Sequence, residues 1–340
     1  MMNNNILALL KQQLGEAKTV DLVNLMHISP KFSVWDDGEV SRAELAQVLN
    51  MLLFNDVLER VPSGKAYTED VFASGEKVVL DHGALRTVRW LENGALPPGE
   101  VAITRILRPL GFQLNGVFPL DRLNMTGRSY AHQDDPDHIS QFFVSELHPE
   151  RFSRDFQEAV TRVLATSCDP LTPAAIFLLH ELERDGRLTL NQAQQLLPIL
   201  LMCFARQHAT ISESDYALLL KESAEMAWIA TEGNVFNHAT DRVADVFALS
   251  EEQKSLGRPM KVCVEVSASG RVKQTAFKAD PVIRDMLDDD GKRVQRIVPG
   301  SFYEFISRDV MHDGDQTRLD LGFDAANAQG IFKMTANEVK

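Results

Sequence analysis

Two histidine and glutamate pairs have almost the same separation along this 340-residue chain. His82 precedes Glu146 by 64 residues, and His238 precedes Glu304 by 66. Imidazole nitrogens and carboxylate oxygens are common ligands of divalent transition metals. These separations are too long for one helix or one hairpin, so a whole fold must bring the four residues together. We therefore treat them as four candidate ligands of one metal ion.

The segments around these residues predict a supersecondary unit that occurs twice. In each copy a strand-like run is followed by a helix-like run and then by three more strand-like runs. Each histidine falls in the first strand of its copy and each glutamate in the last. The first copy consists of residues 80–90, 98–111, 112–118, 123–132 and 140–148, and the second of residues 234–243, 241–257, 260–267, 272–280 and 300–308.

Helical patterns precede the first copy and separate it from the second. Residues 6–14 have apolar residues at helical spacing, and Ser41 with Glu44 forms a capping box before the apolar run 45–58. Thr172 followed by Pro173 predicts the start of a helix within the stretch 151–230. Ser212 with Asp215 predicts another.

These patterns together predict an α+β fold. Two βαβββ units would form a curved mixed sheet around a metal cleft, with N-terminal and inserted helices. We expect one compact catalytic domain with four parts. They are a helical cap at 1–75, the first unit at 76–150, a helical insertion at 151–230, and the second unit with the C-terminal segment at 231–340.

Composition and charge argue against two classes of partner, nucleic acids and membranes. The formal net charge of −13 repels phosphate backbones, which argues against a nucleic-acid partner. The apolar stretch 196–205 contains a proline and is about half of the ~20 residues that a membrane span needs. The N-terminus lacks the pattern of a signal peptide, so we expect a cytoplasmic protein without a membrane partner.

Cys168, Cys203 and Cys263 have no CxxC spacing, and we expect buried thiols.

Four short motifs resemble one enzyme family. They are His82-Gly-Ala-Leu-Arg86, Phe236-Asn-His238-Ala-Thr-Asp-Arg242, Gln274-Thr-Ala-Phe-Lys278, and Glu304 followed four residues later by Arg308. From about residue 76 onward the chain is similar to the iron-dependent 2-oxoadipate dioxygenase/decarboxylase family, also called the hydroxyglutarate synthase family. That family is distantly related to the glyoxalase, or vicinal-oxygen-chelate, superfamily. The resemblance therefore implies the same fold as the repeat.

The resemblance also implies a cofactor and a reaction. His82, His238 and Glu304 would bind Fe(II) as a facial triad, which leaves positions for a chelating 2-oxo acid and O2. The implied reaction is the oxidative decarboxylation of 2-oxoadipate to a 2-hydroxy acid and CO2, as in lysine catabolism. Zn or Ni could replace iron in a purified sample.

Substrate-binding candidates follow from strand alternation. Arg86 lies four residues after His82, so in a strand both side chains share a face, and the family uses the matching arginine to hold substrate. A guanidinium binds a carboxylate bidentately, which makes Arg86 the candidate anchor of a dicarboxylate. Arg308 lies four residues after Glu304, so in a strand these two side chains also share a face. Gln274 and Lys278 form one alternating set and Thr275 and Phe277 the other, and one set should face the cavity.

Two alternatives stay open. If Glu146 were a fourth ligand, a coordination position would be lost, which favours a glyoxalase-like lyase or isomerase that uses Zn or Ni. A protein of the same fold could also sequester a small molecule without catalysis, although that role needs no open ferrous site.

Asn237 and Thr240 flank His238 and are candidates to orient its imidazole.

Overall fold

The computed structural model describes residues 4–33, 38–313, 316–326, 330 and 333–335. Helices lie before the first βαβββ unit, between the two units, and within each unit. They are α1 (Asn4–Leu14), α2 (Glu16–Leu25), α3 (Arg42–Arg60), α4 (Pro62–Ser74), α5 (Val101–Leu107), α6 (Arg154–Leu164), α7 (Pro173–Asp185), α8 (Leu190–Met202), α9 (Glu213–Glu222), α10 (Ala224–Glu232) and α11 (Val246–Ser255). Within these ranges no helix combines the length and the apolar character that crossing a bilayer requires.

In the described residues the strands form one large sheet and three small two-stranded sheets. They are β1 (Glu39–Ser41), β2 (Leu80–Val88), β3 (Phe112–Leu120), β4 (Met125–His132), β5 (Gln141–Leu147), β6 (Arg187–Thr189), β7 (Phe236–Arg242), β8 (Glu265–Val266), β9 (Val272–Ala276), β10 (Pro281–Leu287), β11 (Arg293–Pro299), β12 (Phe302–Arg308), β13 (Val310–Asp313) and β14 (Gln316–Leu319). The large sheet has the order β3-β4-β5-β2-β7-β12-β9-β8 and curls into a half-barrel.

The large sheet consists of two copies of the same topology. In the first copy β2 pairs in parallel with β5, and in the second β7 pairs in parallel with β12. The two first strands, β2 and β7, pair antiparallel at the centre and join the copies. The predicted α+β fold of two βαβββ units is therefore confirmed. The division of the chain after residues 75, 150 and 230 stays a prediction.

One face of the sheet packs against the N-terminal helices. Tyr303 and Phe305 of β12 are fully buried there, and the ring of Tyr67 from α4 lies 4.8 Å from that of Phe305. A Cβ atom on Gly83 of β2 would lie 1.9 Å from the Phe236 ring, so this close approach requires glycine. Because side chains alternate along a strand, Glu304 points to the opposite face. The helical cap thus backs the sheet and leaves the other face for the site.

The local helix signals are confirmed. Ser41 and Glu44 form the predicted capping box of α3, Thr172 caps α7, and the hydroxyl of Ser212 accepts from the Asp215 backbone N–H at the start of α9. In each case the side chain satisfies a backbone N–H that has no partner within the helix.

Three local predictions were wrong or incomplete. The run 260–267 forms only the short strand β8 and a bridge at Met260, and Val262 between them is 79% exposed because the chain leaves the sheet edge there. The hairpin β10–β11 was not predicted. Cys203 is buried as expected, but Cys168 and Cys263 are exposed.

Candidate metal centre

Three of the four candidate ligands meet on one face of the sheet. Thr240 of β7 pairs with His82 of β2 on one side and with Glu304 of β12 on the other. His238 lies two residues before Thr240 and so shares its face. All three candidate ligands are buried, and one ligand atom from each lies within 4.8 Å of the others. In the described part of the chain this is the group with metal-binding geometry.

One carboxylate oxygen faces both imidazoles. Glu304 Oε2 lies 3.1 Å from His238 Nε2 and 3.3 Å from His82 Nε2. The hydroxyl of Thr240 donates to the same oxygen at 2.6 Å. Two imidazoles and one carboxylate on a single face are the donor set of a non-haem ferrous site with open positions.

The Nδ1 atoms of both histidines have polar neighbours, which tests whether the Nε2 atoms are available to a metal. Asp81 Oδ1 lies 2.9 Å from His82 Nδ1 and can accept a hydrogen bond from its N–H, which leaves Nε2 as the ligand atom. Asn237 Nδ2 lies 2.8 Å from His238 Nδ1, and Asn237 Oδ1 is buried with no hydrogen-bond partner among the described residues. A half-turn of this amide would place Oδ1 on Nδ1 and free Nε2 for coordination. The donor set therefore fits a metal ion.

The electrostatics favour an ionised glutamate between the imidazoles. Burial opposes the ionisation of Glu304, but His238 and His82 outweigh it and hold the pKa of its carboxyl far below the usual range. Burial lowers the pKa of His238, although Glu304 opposes this. Burial acts in the same direction on His82, but hydrogen bonds to Asp81 and Glu304 outweigh it and raise its pKa. Coordination requires neutral imidazoles, so a raised pKa of His82 makes metal binding weaker as the pH falls.

Arg86 lies on the same face as His82, as strand alternation predicted. The register of β2 with β5 runs without a shift from His82 to Val88. The guanidinium is fully buried, lies 4.7 Å from the centre of the Trp228 ring, and donates to the Thr335 hydroxyl at 2.8 Å. Burial lowers the pKa of Arg86 to about 10, so the group is a cation at neutral pH. Its charge also contributes to the low pKa of His238.

Arg308 shares the face of Glu304 but binds protein groups. Its guanidinium donates to Asp81 at 2.8 Å and to the carbonyls of Asp320 and Gly322 at 2.7 and 2.6 Å. Arg242 also donates to Asp81, at 2.9 Å. These contacts favour a role in holding Asp81, and substrate binding by Arg308 stays a prediction.

The structure shows which face of the sheet Gln274 and Phe277 occupy. Gln274 and Ala276 lie opposite Ile306 and Glu304, so this set shares the face of the site. Phe277 belongs to the core on the other face, where its ring lies 5.1 Å from Phe305. Lys278 is exposed and lies two residues beyond the end of β9, where the parity argument no longer applies. Gln274 therefore stays a substrate-binding candidate, whereas the structure does not bring Lys278 to the site.

Glu146 points away from the other candidate ligands. It lies opposite Thr87, one residue out of phase with Arg86. Its Oε2 accepts from the Glu100 backbone N–H at 2.8 Å, just before α5. Glu304 lies two residues beyond the partner of His238, and the matching position in the first unit is Phe143. The similar His–Glu separations therefore do not reflect equivalent positions, and among the described residues Glu146 does not join the other three candidate ligands.

The C-terminal segment lies over the site. The ring centres of Phe323 and His82 are 4.8 Å apart, and the two ring planes are perpendicular. The Arg308 guanidinium lies 4.8 Å from the centre of the Phe323 ring. Phe323 also contacts Phe143, at 5.1 Å between ring centres. An aromatic cover of this kind excludes water from the ligand cluster and strengthens the electrostatic interactions within it.

Comparison with known proteins identifies the family. The sequence profile described as 2-oxoadipate dioxygenase/decarboxylase matches residues 44–320. The chain belongs to this family. A curated relative, the chloroplastic/amyloplastic 2-oxoadipate dioxygenase/decarboxylase of Oryza sativa subsp. japonica, is 24% identical over 311 residues, which cover 83% of this chain and 76% of the relative.

Solved structures agree with this fold. A crystal structure from Ralstonia eutropha JMP134, described as a glyoxalase superfamily protein, is 61% identical with a TM-score of 0.91, covering 96% of this chain and 100% of the other. The hydroxyglutarate synthase of Oryza sativa in complex with 2-oxoadipate is 18% identical with a TM-score of 0.66, covering 92% of this chain and 96% of the other. At that identity the likeness extends to the fold alone.

Three residues at the site of this family member were missed by the sequence reasoning. The sequence contains a pattern that could have indicated Asp81: a polar residue directly precedes the histidine in both units, Asp81 before His82 and Asn237 before His238. Trp228 and Phe323 had no such pattern, since each reaches the site through packing between segments far apart in the chain.

Proposed function

We propose that this chain is an Fe(II)-dependent dioxygenase/decarboxylase that acts on a 2-oxo dicarboxylic acid such as 2-oxoadipate. The overall reaction would consume one O2 and yield one CO2 and the 2-hydroxy acid that is one carbon shorter. The observation that carries this proposal is the convergence of His82, His238 and Glu304 on one buried face that also bears the Arg86 cation.

Each residue has a distinct task in this proposal. His82, His238 and Glu304 would hold the ferrous ion, which when bound supplies sites for chelation of the 2-oxo acid and for reduction of O2. Asp81 and Asn237 orient the two imidazoles. Arg86 would bind a substrate carboxylate through two parallel hydrogen bonds, a geometry that a guanidinium favours. The buried setting keeps bulk water from the reacting atoms.

The test is oxygen consumption by the iron-loaded protein. After anaerobic reconstitution with Fe(II), O2 uptake and CO2 release are measured with 2-oxoadipate, 2-oxoglutarate and shorter 2-oxo acids. We expect equal amounts of O2 consumed and CO2 released, with 2-oxoadipate among the best substrates. His238→Ala should abolish both, whereas His138→Ala, which changes a half-exposed histidine outside the site, should not.

Absence of O2 uptake with every 2-oxo acid, despite bound iron, would overturn the proposal. It would shift the assignment to redox-neutral chemistry on the same fold or to binding without turnover.

A further inference from the structure

The cationic side chain of Lys261 belongs to the face that bears the metal centre. The backbone N–H of Lys261 donates to the carbonyl of Ala276 at 2.8 Å, and Ala276 pairs with Glu304. The neighbouring bridge joins Met260 to Phe277, and both of these side chains are buried in the core behind the sheet. Alternation therefore directs Lys261 to the side of Glu304.

Lys261 is close enough to reach a substrate. Because adjacent strands lie about 4.8 Å apart, its backbone is about 10 Å from that of Glu304, two strand positions away. The four-carbon side chain can cover much of this distance, and so can a six-carbon substrate held at the ligand cluster. A far substrate group and the Lys261 ammonium can therefore meet.

The charge at this side of the site suits one carboxylate. The Lys261 side chain is 13% exposed, and its ammonium forms an ion pair with Glu265. Burial raises the pKa of the Glu265 carboxyl, Lys261 and Lys333 oppose this, and nearby Glu304 adds to it. Glu304 belongs to the ligand cluster, and outside that cluster the two lysines exceed the one carboxylate of Glu265 by one charge. A largely buried ion pair of this kind contributes little to stability, because desolvation offsets its attraction.

We propose that Lys261 determines specificity by binding the carboxylate at the far end of a 2-oxo dicarboxylic acid, while Glu265 holds the ammonium in place. The inference rests on the proposed function, since it assumes a substrate chelated near His82, His238 and Glu304. Such a substrate carries two carboxylates. Apart from Arg308 and Arg242, which are paired with Asp81, Arg86 and Lys261 are two cations of low exposure that the described residues place on this face. Arg86 would then bind the carboxylate beside the keto group.

The experiment compares two ligands that differ only at the far end. Binding of 2-oxoadipate and of 2-oxohexanoate, which lacks the far carboxylate, is measured by calorimetry on the anaerobic Fe(II)-loaded protein. We expect Lys261→Met to weaken 2-oxoadipate binding by about 10- to 100-fold, the worth of a charged hydrogen bond. The binding of 2-oxohexanoate should change by less than about twofold, because it does not use this contact.

Three further variants sharpen the comparison. Lys261→Gln, which keeps an amide donor for Glu265, provides a second neutral variant should the methionine variant fold poorly. Lys261→Arg should keep most of the preference for 2-oxoadipate. The matched control is Lys273→Met, which removes a lysine of β9 that pairs with Asp309. It should leave both affinities unchanged.

The outcomes separate this inference from the proposed function. Equal affinities of the wild type and both neutral variants for 2-oxoadipate, or equal losses for both ligands, would overturn the role of Lys261 even if O2 uptake is normal. A selective loss of 2-oxoadipate binding together with no O2 uptake would support Lys261 and reject the dioxygenase. No binding of 2-oxoadipate to the wild type would reject both.

Discussion

The carboxylate of Asp81 holds the imidazole of His82 and the guanidinium of Arg308 at the same time. Oδ1 lies 2.9 Å from His82 Nδ1, and Arg308 Nε donates to Oδ2 at 2.8 Å. Burial opposes the ionisation of Asp81, but Arg308, His82 and Arg242 outweigh it and hold the pKa of the carboxyl well below its usual range. An ionised acceptor on Nδ1 directs Nε2 of His82 toward Glu304.

The first prediction is that Asp81→Asn weakens metal binding by about 10- to 100-fold. The amide is a weaker acceptor for His82 Nδ1–H, and its NH2 group faces two guanidinium groups. Affinity is measured by competition for Zn(II) with a chromophoric chelator. Asp309→Asn, which changes a half-exposed carboxylate paired with Lys273, is the control and should not alter it. An affinity of Asp81→Asn within about twofold of the wild type would show that Asp81 does not support the ligand.

The second prediction concerns Glu146 and decides between three and four ligands. Glu146→Gln should bind one metal ion per chain with unchanged affinity, because this side chain is on the other face of the sheet. Loss of its charge beside Arg128 and before α5 should lower the free energy of unfolding by about 1 kcal/mol. Glu304→Gln, in contrast, should lose most metal binding. Metal content by mass spectrometry and urea unfolding check both, and impaired metal binding in Glu146→Gln would restore the four-ligand hypothesis.

Strand order and parity were predictable because they depend on local patterns. The alternation around His82 and Arg86 gave their common face, and the repeat of strand-like and helix-like runs gave the topology of both units. Equal spacing could not give equivalence, because loops of different length separate the strands of each unit. Phe143 occupies the position that corresponds to Glu304, and Glu146, three residues later in β5, faces the other side of the sheet.

Other features of the site depend on packing between distant segments. Trp228 of α10 reaches Arg86, and Phe323 of the C-terminal segment reaches His82, without a periodic signal in either segment. The hairpin β10–β11 was missed because exposed apolar residues, Ile283 and Ile297, interrupt its alternation. Sequence patterns specify which residues share a strand face, whereas tertiary packing decides what covers that face.

The third prediction is that Trp228 positions Arg86. The indole lies against the guanidinium at 4.7 Å and donates through Nε1 to the Gly300 carbonyl at 3.0 Å. Trp228→Phe keeps an aromatic face, so the KM for 2-oxoadipate should rise by no more than about threefold. Trp228→Leu removes it, and we expect a rise of about 5- to 30-fold with a smaller change in kcat. Steady-state O2 uptake measures both, and equal KM values for the two variants would contradict this role.

The carboxyl of Asp241 is buried on the opposite face of β7. The Tyr67 hydroxyl donates to Oδ2 and the Val79 N–H to Oδ1, both at 2.9 Å. Burial raises the pKa of Asp241 to about 7, although both hydrogen bonds oppose it. In the unfolded chain the pKa would be about 3.9. The folded state therefore binds more protons than the unfolded state between these two values.

The fourth prediction follows from this difference in bound protons. Stability falls with rising pH wherever the folded state binds more protons, so Asp241 lowers the free energy of unfolding progressively from about pH 4 to pH 7. Asp241→Asn removes the titration and can keep both hydrogen bonds. Relative to the wild type, the variant should gain about 2 to 3 kcal/mol between pH 5 and pH 8. Urea unfolding of both proteins at the two pH values measures the change, and parallel pH profiles would show that Asp241 does not titrate in this range.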